Sequence, residues 1–334
     1  MLTSDFSYDL PEGAIAQAAV EPRDSARLLD TRDLGDHRFA DLPALLDEGD
    51  LVVVNTTRVR KARLAAIKDS GGTVEVLLLA PLGDGSWDSL VRPARRVRAG
   101  TRLTAGPVVL EATGDPRDGV VVLAVIAGSL DAAIDTVGAV PLPPYFRGVL
   151  DDPERYQTVF AERIGSAAAP TAGLHFTHRL LAELVTRGIP VASVDLEIGL
   201  DTFRPIAAAR LDGHRMHREH VVVGEDVVEA VAATRSRRGR VVAVGTTVVR
   251  SLEAAAVEGR LRPLDGPTDL FITPGYRFGV VDLLVTNFHV PGSTLIVLVA
   301  AFMGEAWRPA YDAALARGYR FLSFGDAMLA ERGA

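Results

Sequence analysis

Three short apolar segments of this chain each run directly into a polar turn that contains Asn or Thr. They occupy residues 51–58, 241–247 and 283–289, and each begins with a run rich in Val or Leu. In α/β proteins, ligands bind beyond the carboxyl ends of parallel strands, where helix N-termini offer unpaired N–H groups. The three ends are therefore predicted to lie together and to form the polar floor of a binding site.

The rest of the chain shows two patterns. Residues 71–127 hold four short apolar segments separated by Gly/Asp turns, a spacing typical of a small barrel or sandwich. From about residue 175 onward, apolar segments alternate with segments of helical periodicity. Helices are predicted over 178–187 and 248–258, and a strand over 319–323. This alternation indicates an α/β domain.

The first apolar strand, at residues 51–54, resembles the later α/β strands more than the barrel strands. We therefore expect an α/β main domain with an inserted small β-barrel domain. The main domain is expected to be discontinuous, over residues 1–62 and 146–334, and the barrel to span residues 63–145. A length of 334 residues also favours two domains, because a single core rarely grows to this size.

The composition restricts the chemistry. The chain has no cysteine, which excludes disulfides, thiolate nucleophiles and cysteine-ligated zinc or iron–sulfur clusters. Its longest apolar run, residues 295–303, is much shorter than the roughly 20 residues that span a bilayer. Its N-terminus lacks the basic and apolar regions of a signal peptide. We therefore expect a cytoplasmic protein with no membrane partner.

The net charge of −7 argues against a general affinity for nucleic acid, but the basic residues are unevenly distributed. Nearly all of them are arginine, and they form two clusters. The first cluster contains Arg92, Arg95, Arg96, Arg98 and Arg102, and the second contains Arg235, Arg237, Arg238 and Arg240. Either cluster can bind phosphates bidentately, although charge runs of this kind most often form solvated surface.

Two turns carry a histidine within a rigid frame. His175 follows Pro170, which stiffens the chain, and Gly173, which permits close approach of a ligand. His289 follows Asn287 at a predicted strand end. A loop histidine of this kind is a frequent general base, and the alternative is that each ring packs against or caps a neighbouring helix.

The turn at residues 245–247 resembles a phosphate- or carboxylate-binding turn that begins a helix. It lacks the lysine of a P-loop and the glycine series of a dinucleotide site, so neither is supported. Arg250 and Glu253 have the spacing of a helical ion pair, which is the structural alternative for both.

His214, His217 and His220 recur at every third residue, a spacing that raises the question of a metal site. Nothing in the sequence shows that this segment is helical, and nearby carboxylate support is limited to Glu219. We therefore expect these residues to contact a substrate or to have a structural role, and we predict no metal.

Taken together, these residues resemble the S-adenosylmethionine:tRNA ribosyltransferase-isomerase family, which makes epoxyqueuosine in tRNA. The matching segments span nearly the whole chain, at residues 5–11, 21–24, 49–51, 55–59, 72–76, 91–95, 141–145, 156–159, 169–176, 214–219, 244–247, 249–253, 268–272, 274–275, 286–289 and 323–328. The family fold, an α/β domain with an inserted β-barrel, agrees with the organisation predicted above.

The resemblance implies transfer and isomerisation of the ribosyl group of S-adenosylmethionine onto 7-aminomethyl-7-deazaguanine in the anticodon region of tRNA, with release of adenine and methionine. Without cysteine, the chain cannot use the cluster-based radical route. The sulfonium acidifies the C5′ protons, so a neutral general base such as His175 or His289 can start the reaction. The methionine carboxylate would suit the helix start at 245–247, Arg58 or Arg250.

Three groups of site residues follow from the resemblance. The catalytic candidates are His175, His289 and Glu197. S-adenosyl-L-methionine, acting as co-substrate, would be bound by Asn55, Arg58, Thr171, Gly173, Gly245, Thr246, Thr247, Arg250 and Asn287. The tRNA would be bound by His217, Glu219, Arg92, Arg95 and Arg96. We expect a monomer.

The chain also departs from the usual family pattern. Glu197 and Asp201 stand where the family usually has His and Gly, and Thr56, Thr273 and Gly292 also differ. Glu197 is a catalytic candidate because it can serve as a replacement base. Two alternative functions follow. One is a divergent paralogue that binds S-adenosylmethionine but uses a different acceptor, and the other is a non-catalytic RNA-binding module that uses the barrel arginines.

Overall fold

A computed structural model describes residues 1–117, 119–148, 150, 152–199, 205–216 and 218–333. The chain divides into two compact units, one formed by Met1–Arg58 with Pro143–Ala334 and the other by Val59–Leu142. The first unit contains a large mixed sheet with helices, and the second contains a closed barrel. The predicted fold class, an α/β domain with an inserted small β-barrel, is confirmed.

The described residues form strands and helices that are numbered in chain order. The strands are β1 (Arg27–Asp30), β2 (Gly35–Arg38), β3 (Leu51–Asn55), β4 (Thr57–Val59), β5 (Arg63–Lys68), β6 (Thr73–Pro81), β7 (Ser86–Arg92), β8 (Arg102–Ala105), β9 (Val108–Ala112), β10 (Val120–Gly128), β11 (Arg163–Ser166), β12 (Val191–Leu196), β13 (Glu219–Val223), β14 (Val241–Val244), β15 (Ala256–Val257), β16 (Arg260–Leu261), β17 (Leu264–Thr268), β18 (Leu283–Asn287) and β19 (Ala327–Glu331). The helices are α1 (Leu42–Leu45), α2 (Leu130–Val137), α3 (His178–Thr186), α4 (Glu225–Ser236), α5 (Thr246–Ala254), α6 (Thr294–Met303) and α7 (Trp307–Ala316).

The large sheet has nine strands in the order β17-β13-β12-β3-β14-β18-β19-β1-β2. Its centre consists of β12, β3, β14 and β18, which are parallel neighbours. The register places Val52 opposite both Val191 and Val242. Because parallel strands end at the same edge, the turns that follow these four strands lie along one edge of the sheet.

Both faces of the central strands are buried, which explains their continuous apolar sequences. In β3, Leu51 and Val53 face one hydrophobic cluster, which includes residues of α4, α5, α6 and α7. Val52 and Val54 face the other cluster, which includes residues of α1 and α3. The alternation follows from the two-residue period of a strand.

The barrel is a closed antiparallel sheet of six strands in the order β10-β7-β6-β5-β8-β9. Its strands alternate between buried and more exposed residues, as in β5, where Leu64 and Ala66 are fully buried. Helix α2 packs against β5 and β9. Short strands joined by Gly/Asp turns therefore close on themselves, which removes exposed sheet edges.

Two of the predicted elements differ in the structure. Helix α5 begins at Thr246 rather than 248 and ends at Ala254, after which β15 and β16 form a short hairpin. The strand predicted over residues 319–323 is wrong, because Phe321 makes only an isolated bridge to Ile15. The nearby strand is β19, which pairs antiparallel with β18. In the described part of the chain, no helix combines the length and hydropathy needed to cross a bilayer.

Candidate functional site

Two adjoining hollows lie at the carboxyl ends of the central strands. The first, called here the Thr247 hollow, is lined by Ala169, Pro170, Thr171, Ala172, Ile198, Gly245, Thr246, Thr247, Thr286, Asn287, His289 and Leu295. The second, the Tyr145 hollow, is lined by Tyr145, Thr171, Asn287, Phe288, His289, Val290, Ser293, Leu295, Leu322 and Ser323. Thr171, Asn287, His289 and Leu295 line both hollows and form their shared wall.

The shared wall joins a loop to a strand end. The loop contains a short 3₁₀ turn, Thr171–His175. The Thr171 hydroxyl donates a hydrogen bond to Asn287 Oδ1 at 2.9 Å, and the Asn287 amide donates to Asp326 O at 3.3 Å. These bonds hold the predicted co-substrate residues Thr171 and Asn287 in one wall.

His289 lies in the shared wall with its side chain almost completely buried. Its Nε2 is 2.8 Å from the Thr286 hydroxyl, and its Nδ1 makes no hydrogen bond with any described residue. Burial lowers the pKa of His289 from its usual value to about 3, so the ring is neutral near pH 7. The main chain of His289 is held by two tyrosines, since its N–H donates to Tyr311 Oη at 3.0 Å and its carbonyl accepts from Tyr8 Oη.

His175 is the last residue of the 3₁₀ turn and is not among the described residues that line either hollow. Its Nδ1 and Nε2 are each 3.0 Å from a backbone carbonyl, of Ala172 and Gly325 respectively. The ring also stacks on Phe39, with 4.8 Å between the ring centroids. Burial lowers the pKa of His175, while the two carbonyls oppose this shift. A neutral imidazole carries one N–H, so one of the two carbonyls accepts a hydrogen bond from the ring and the other carbonyl covers the second nitrogen.

The N-terminus of α5 forms one end of the Thr247 hollow. Gly245 precedes the helix with φ of +92°, a backbone conformation that favours glycine, and its N–H donates to Val285 O at 2.7 Å. Thr246 and Thr247 are 6% and 7% exposed and form the first turn. The Thr247 hydroxyl oxygen is buried and has no hydrogen-bond partner among the described residues.

Three other predicted co-substrate residues have structural partners. The Asn55 side chain accepts from the N–H groups of Leu196 and Thr57 and donates to Leu196 O, so it ties β3 to the end of β12. Arg58 forms an ion pair with Glu154 at 2.5 Å. Gly173 packs where a side chain would meet Phe160 and Thr158. None of these three is among the described lining residues of either hollow.

The predicted residues Arg250 and Glu219 form a buried ion pair with each other, and each side chain is 7% exposed. Glu219 also accepts from the Gly199 N–H at 3.0 Å, and Arg250 donates to Leu270 O at 3.1 Å. Arg250 therefore pairs with Glu219, the first residue of β13, rather than with Glu253. The Glu253 carboxylate accepts hydrogen bonds from the N–H groups of residues 279–281.

The remaining predicted residues lie on the surface or outside the described chain. Glu197 is exposed at the end of β12, where its N–H donates to His220 O at 3.0 Å. Arg92, Arg95 and Arg96 are exposed on the barrel unit. His217 and Asp201 lie outside the described residues.

The first and last members of the histidine repeat lie among the described residues. His220 Nε2 is 2.9 Å from Asp265 Oδ1, and His214 packs edge-on against Phe271. Across the residues that the structure describes, no group of three or more His, Cys, Asp or Glu side chains is arranged to hold a metal ion.

Several lining residues were not predicted from the sequence. Tyr145 and Ser323 share a hydrogen bond between their hydroxyls in the Tyr145 hollow, and Thr286 holds His289. Tyr145 follows the proline-rich segment 141–144, and Ser323 lies in a segment that matches the family. The sequence therefore marks both segments, but only the tertiary fold brings the Tyr145 and Ser323 side chains together.

Comparison with known proteins gives matches over almost the full length. The chain matches the family model of queuosine biosynthesis protein over residues 3–330. The S-adenosylmethionine:tRNA ribosyltransferase-isomerase of Heliobacterium modesticaldum is 50% identical to it, with 97% of this chain and 98% of the relative covered. The protein of the same name from Carboxydothermus hydrogenoformans is 46% identical, with 98% and 99% covered.

A solved structure of similar sequence also matches this chain over almost its full length. The S-adenosylmethionine tRNA ribosyltransferase from Thermotoga maritima is 36% identical to this chain, with a TM-score of 0.56, and the match covers 98% of this chain and 99% of that one. The sequence and structure comparisons therefore agree over nearly the whole chain. This chain belongs to the queuosine biosynthesis protein family.

Proposed function

We propose that this enzyme transfers and isomerises the ribosyl group of S-adenosylmethionine onto 7-aminomethyl-7-deazaguanine in tRNA, giving epoxyqueuosine, adenine and methionine. The single observation that carries the proposal is the pair of hollows with His289 in their shared wall. A reaction between two substrates needs two adjoining binding sites and a proton acceptor where they meet. The names of the relatives support S-adenosylmethionine and tRNA as the two substrates.

His289 is the base that this geometry favours. A neutral imidazole has one lone pair, and His289 is neutral near pH 7 because burial lowers its pKa to about 3. When the Thr286 hydroxyl accepts a hydrogen bond from the Nε2–H group of His289, the lone pair of the ring lies on Nδ1. That nitrogen can then take the C5′ proton that the neighbouring sulfonium acidifies.

The Tyr145 hollow offers hydroxyl groups to the second substrate. Burial raises the pKa of Tyr145 to about 12, so its hydroxyl stays protonated near pH 7. Tyr145 and Ser323 together can donate and accept hydrogen bonds at the edge of a nucleobase. We assign this hollow to the deazaguanine acceptor.

The exposed arginines of the barrel supply a surface for the rest of the tRNA. Arg95 and Arg96 can contact phosphates, which position a nucleic acid without reading its sequence. The double variant R95A/R96A is expected to weaken tRNA binding and to lower its salt dependence. The matched control is R237A/R238A, which removes two exposed arginines at the end of α4 and is expected to leave tRNA binding unchanged.

The test of the whole proposal is incubation with S-adenosylmethionine and tRNA that carries the deazaguanine precursor, followed by mass spectrometry of the nucleosides. We expect the epoxycyclopentane product in the tRNA and one adenine released per modified nucleoside. A folded protein that binds S-adenosylmethionine but leaves the tRNA unchanged would contradict the assignment of the acceptor.

One observation favours a different acceptor. Asp195 is 7% exposed, its Oδ2 has no partner among the described residues, and it lies in β12, two residues before Glu197. Burial raises the pKa of Asp195 and the nearby Glu197 adds to this, while Arg163 and His220 oppose the shift. Two carboxylates repel an anionic RNA. Release of adenine with a small amine acceptor, but not with tRNA, would support this second function.

A further inference from the structure

The two helices that begin at the hollows have N-termini of different kinds. At α6, the Ser293 side chain accepts a hydrogen bond from the Ile296 N–H, so this helix carries its own cap. At α5, the N-cap residue is Gly245, which has no side chain to accept a hydrogen bond. The N–H groups of Thr246 and Thr247 have no intrahelical acceptor, and no described residue accepts them from outside the helix.

Thr247 adds a third unpaired donor at the same place, its hydroxyl. Its side chain is 93% buried, since only 7% is exposed, and it lines the hollow. Its Oγ1 has no partner among the described residues and lies 3.5 Å from the position that a Cβ on Gly245 would occupy. A buried hydroxyl without a partner is unfavourable, and because Thr247 lines the hollow, a ligand there can supply the acceptor.

The described lining of the two hollows offers no cationic lysine or arginine side chain to an anion. Among the described residues that line either hollow, none is Lys or Arg. Arg58 and Arg250, which were the two alternatives, form ion pairs with Glu154 and Glu219 and are not among those lining residues. The Thr171, Thr286 and Asn287 side chains of the Thr247 hollow already have protein partners, so the N–H and hydroxyl groups at the positive end of α5 are the donors best placed to meet an anionic group there.

Resting on the proposed function, we propose that α5 binds the carboxylate of the methionine part of S-adenosylmethionine through the Thr246 and Thr247 N–H groups and the Thr247 hydroxyl. The Thr247 hollow extends from this end of α5 to His289. Binding the carboxylate at α5 therefore directs the other end of the co-substrate, with its sulfonium and ribose, toward the shared wall. The amino-acid end and the deazaguanine thus occupy different hollows.

The test compares two ligands that differ only in the carboxylate. Affinities for S-adenosylmethionine and for decarboxylated S-adenosylmethionine are measured by calorimetry on the full chain. Thr247→Val keeps the shape of the side chain but removes the hydroxyl. Because hydrogen bonds to charged groups are stronger than neutral ones, we expect T247V to weaken S-adenosylmethionine about tenfold and the decarboxylated ligand less than about twofold. Thr247→Ser is expected to retain wild-type affinity for both.

Thr234→Val is the matched control. Thr234 is a fully buried threonine of α4 whose hydroxyl likewise has no partner among the described residues, but it is not among those that line the hollows. We expect T234V to leave both affinities unchanged. A misfolded variant would lose both ligands together, so the ratio of the two affinities separates a local effect from a loss of structure.

Two results would overturn the inference in distinguishable ways. If the wild type binds S-adenosylmethionine and T247V changes both affinities by the same factor, the carboxylate is bound elsewhere and the proposed function stands. If the wild type binds neither ligand, the proposed function fails and the assignment of α5 fails with it.

Discussion

The segments around His175 and His289 each carry a histidine near a proline and a glycine, but the two rings have different surroundings. Both histidines are buried, and burial lowers the pKa of both. His175 has a carbonyl oxygen at each ring nitrogen, whereas His289 has one hydroxyl partner and lies in the wall between the two hollows. We infer that the partners of a histidine, rather than its neighbours in the sequence, decide whether its lone pair is available to a substrate proton.

The largest expected effect is the loss of catalysis on replacing His289. His289→Gln keeps a polar side chain but removes the base, so we expect kcat to fall by about 10²–10⁴. Binding of S-adenosylmethionine, measured by calorimetry, should stay within a few-fold of wild type. A variant that turns over at the wild-type rate would remove the distinction between the two histidines.

The next effect concerns stability and belongs to His175. His175→Ala removes the contact with Phe39 and leaves a cavity beside two carbonyl oxygens, so we expect a loss of about 2–4 kcal/mol in the free energy of unfolding. Urea denaturation measures it. His178→Ala, at an exposed position at the start of α3, is the control and should change stability by no more than about 0.5 kcal/mol.

The pH dependence of stability gives a third test. The pKa of His289 in the folded state, about 3, lies below its usual value, so the unfolded state binds the proton more readily. This group has no effect on stability above pH 6.5, and its unfavourable contribution grows as the pH falls toward 3. Between pH 7.5 and pH 5, we expect the free energy of unfolding of wild type to fall by about 2 kcal/mol more than that of His289→Gln. Equal losses of stability in wild type and in His289→Gln would show that the His289 ring is in contact with water in the folded state.

The smallest expected effect concerns the support of His289. Tyr311→Phe removes the acceptor of the His289 N–H and leaves a buried donor unpaired. We expect a loss of about 1 kcal/mol in stability and a decrease of only a few-fold in kcat. Tyr8→Phe leaves only a carbonyl unpaired and should have a smaller effect on both measurements. A larger effect on kcat than His289→Gln would place the chemistry on the tyrosines.

Much of the site follows from the sequence, because strand ends and helix starts have local signals. The turns at 245–247 and 286–289 and the loop at 169–172 supply most of the Thr247 hollow. The end of β3 was expected there too, but Asn55 is engaged between strands. Its Asn-Thr-Thr turn has the same local sequence signal as the other two, and only the sheet order shows that Leu196 takes up its side chain.

Other features could not be predicted because their causes are distant in the chain. The carbonyl that engages His175 belongs to Gly325, 150 residues away. Tyr145 reaches the site only after the chain leaves the barrel unit. Strand β19 was missed because its sequence, Ala-Met-Leu-Ala-Glu, consists of residues that favour helices. Pairing with β18 determines its conformation.

The most direct test of the proposed base is the exchange of the C5′ hydrogens of the co-substrate. S-adenosylmethionine deuterated at C5′ is incubated with the precursor tRNA and with wild type, His289→Gln or His175→Gln, and deuterium release into water is measured by mass spectrometry. If His289 is the base, wild type and folded H175Q will release deuterium and H289Q will not. Release by H289Q together with its loss in folded H175Q would contradict the account.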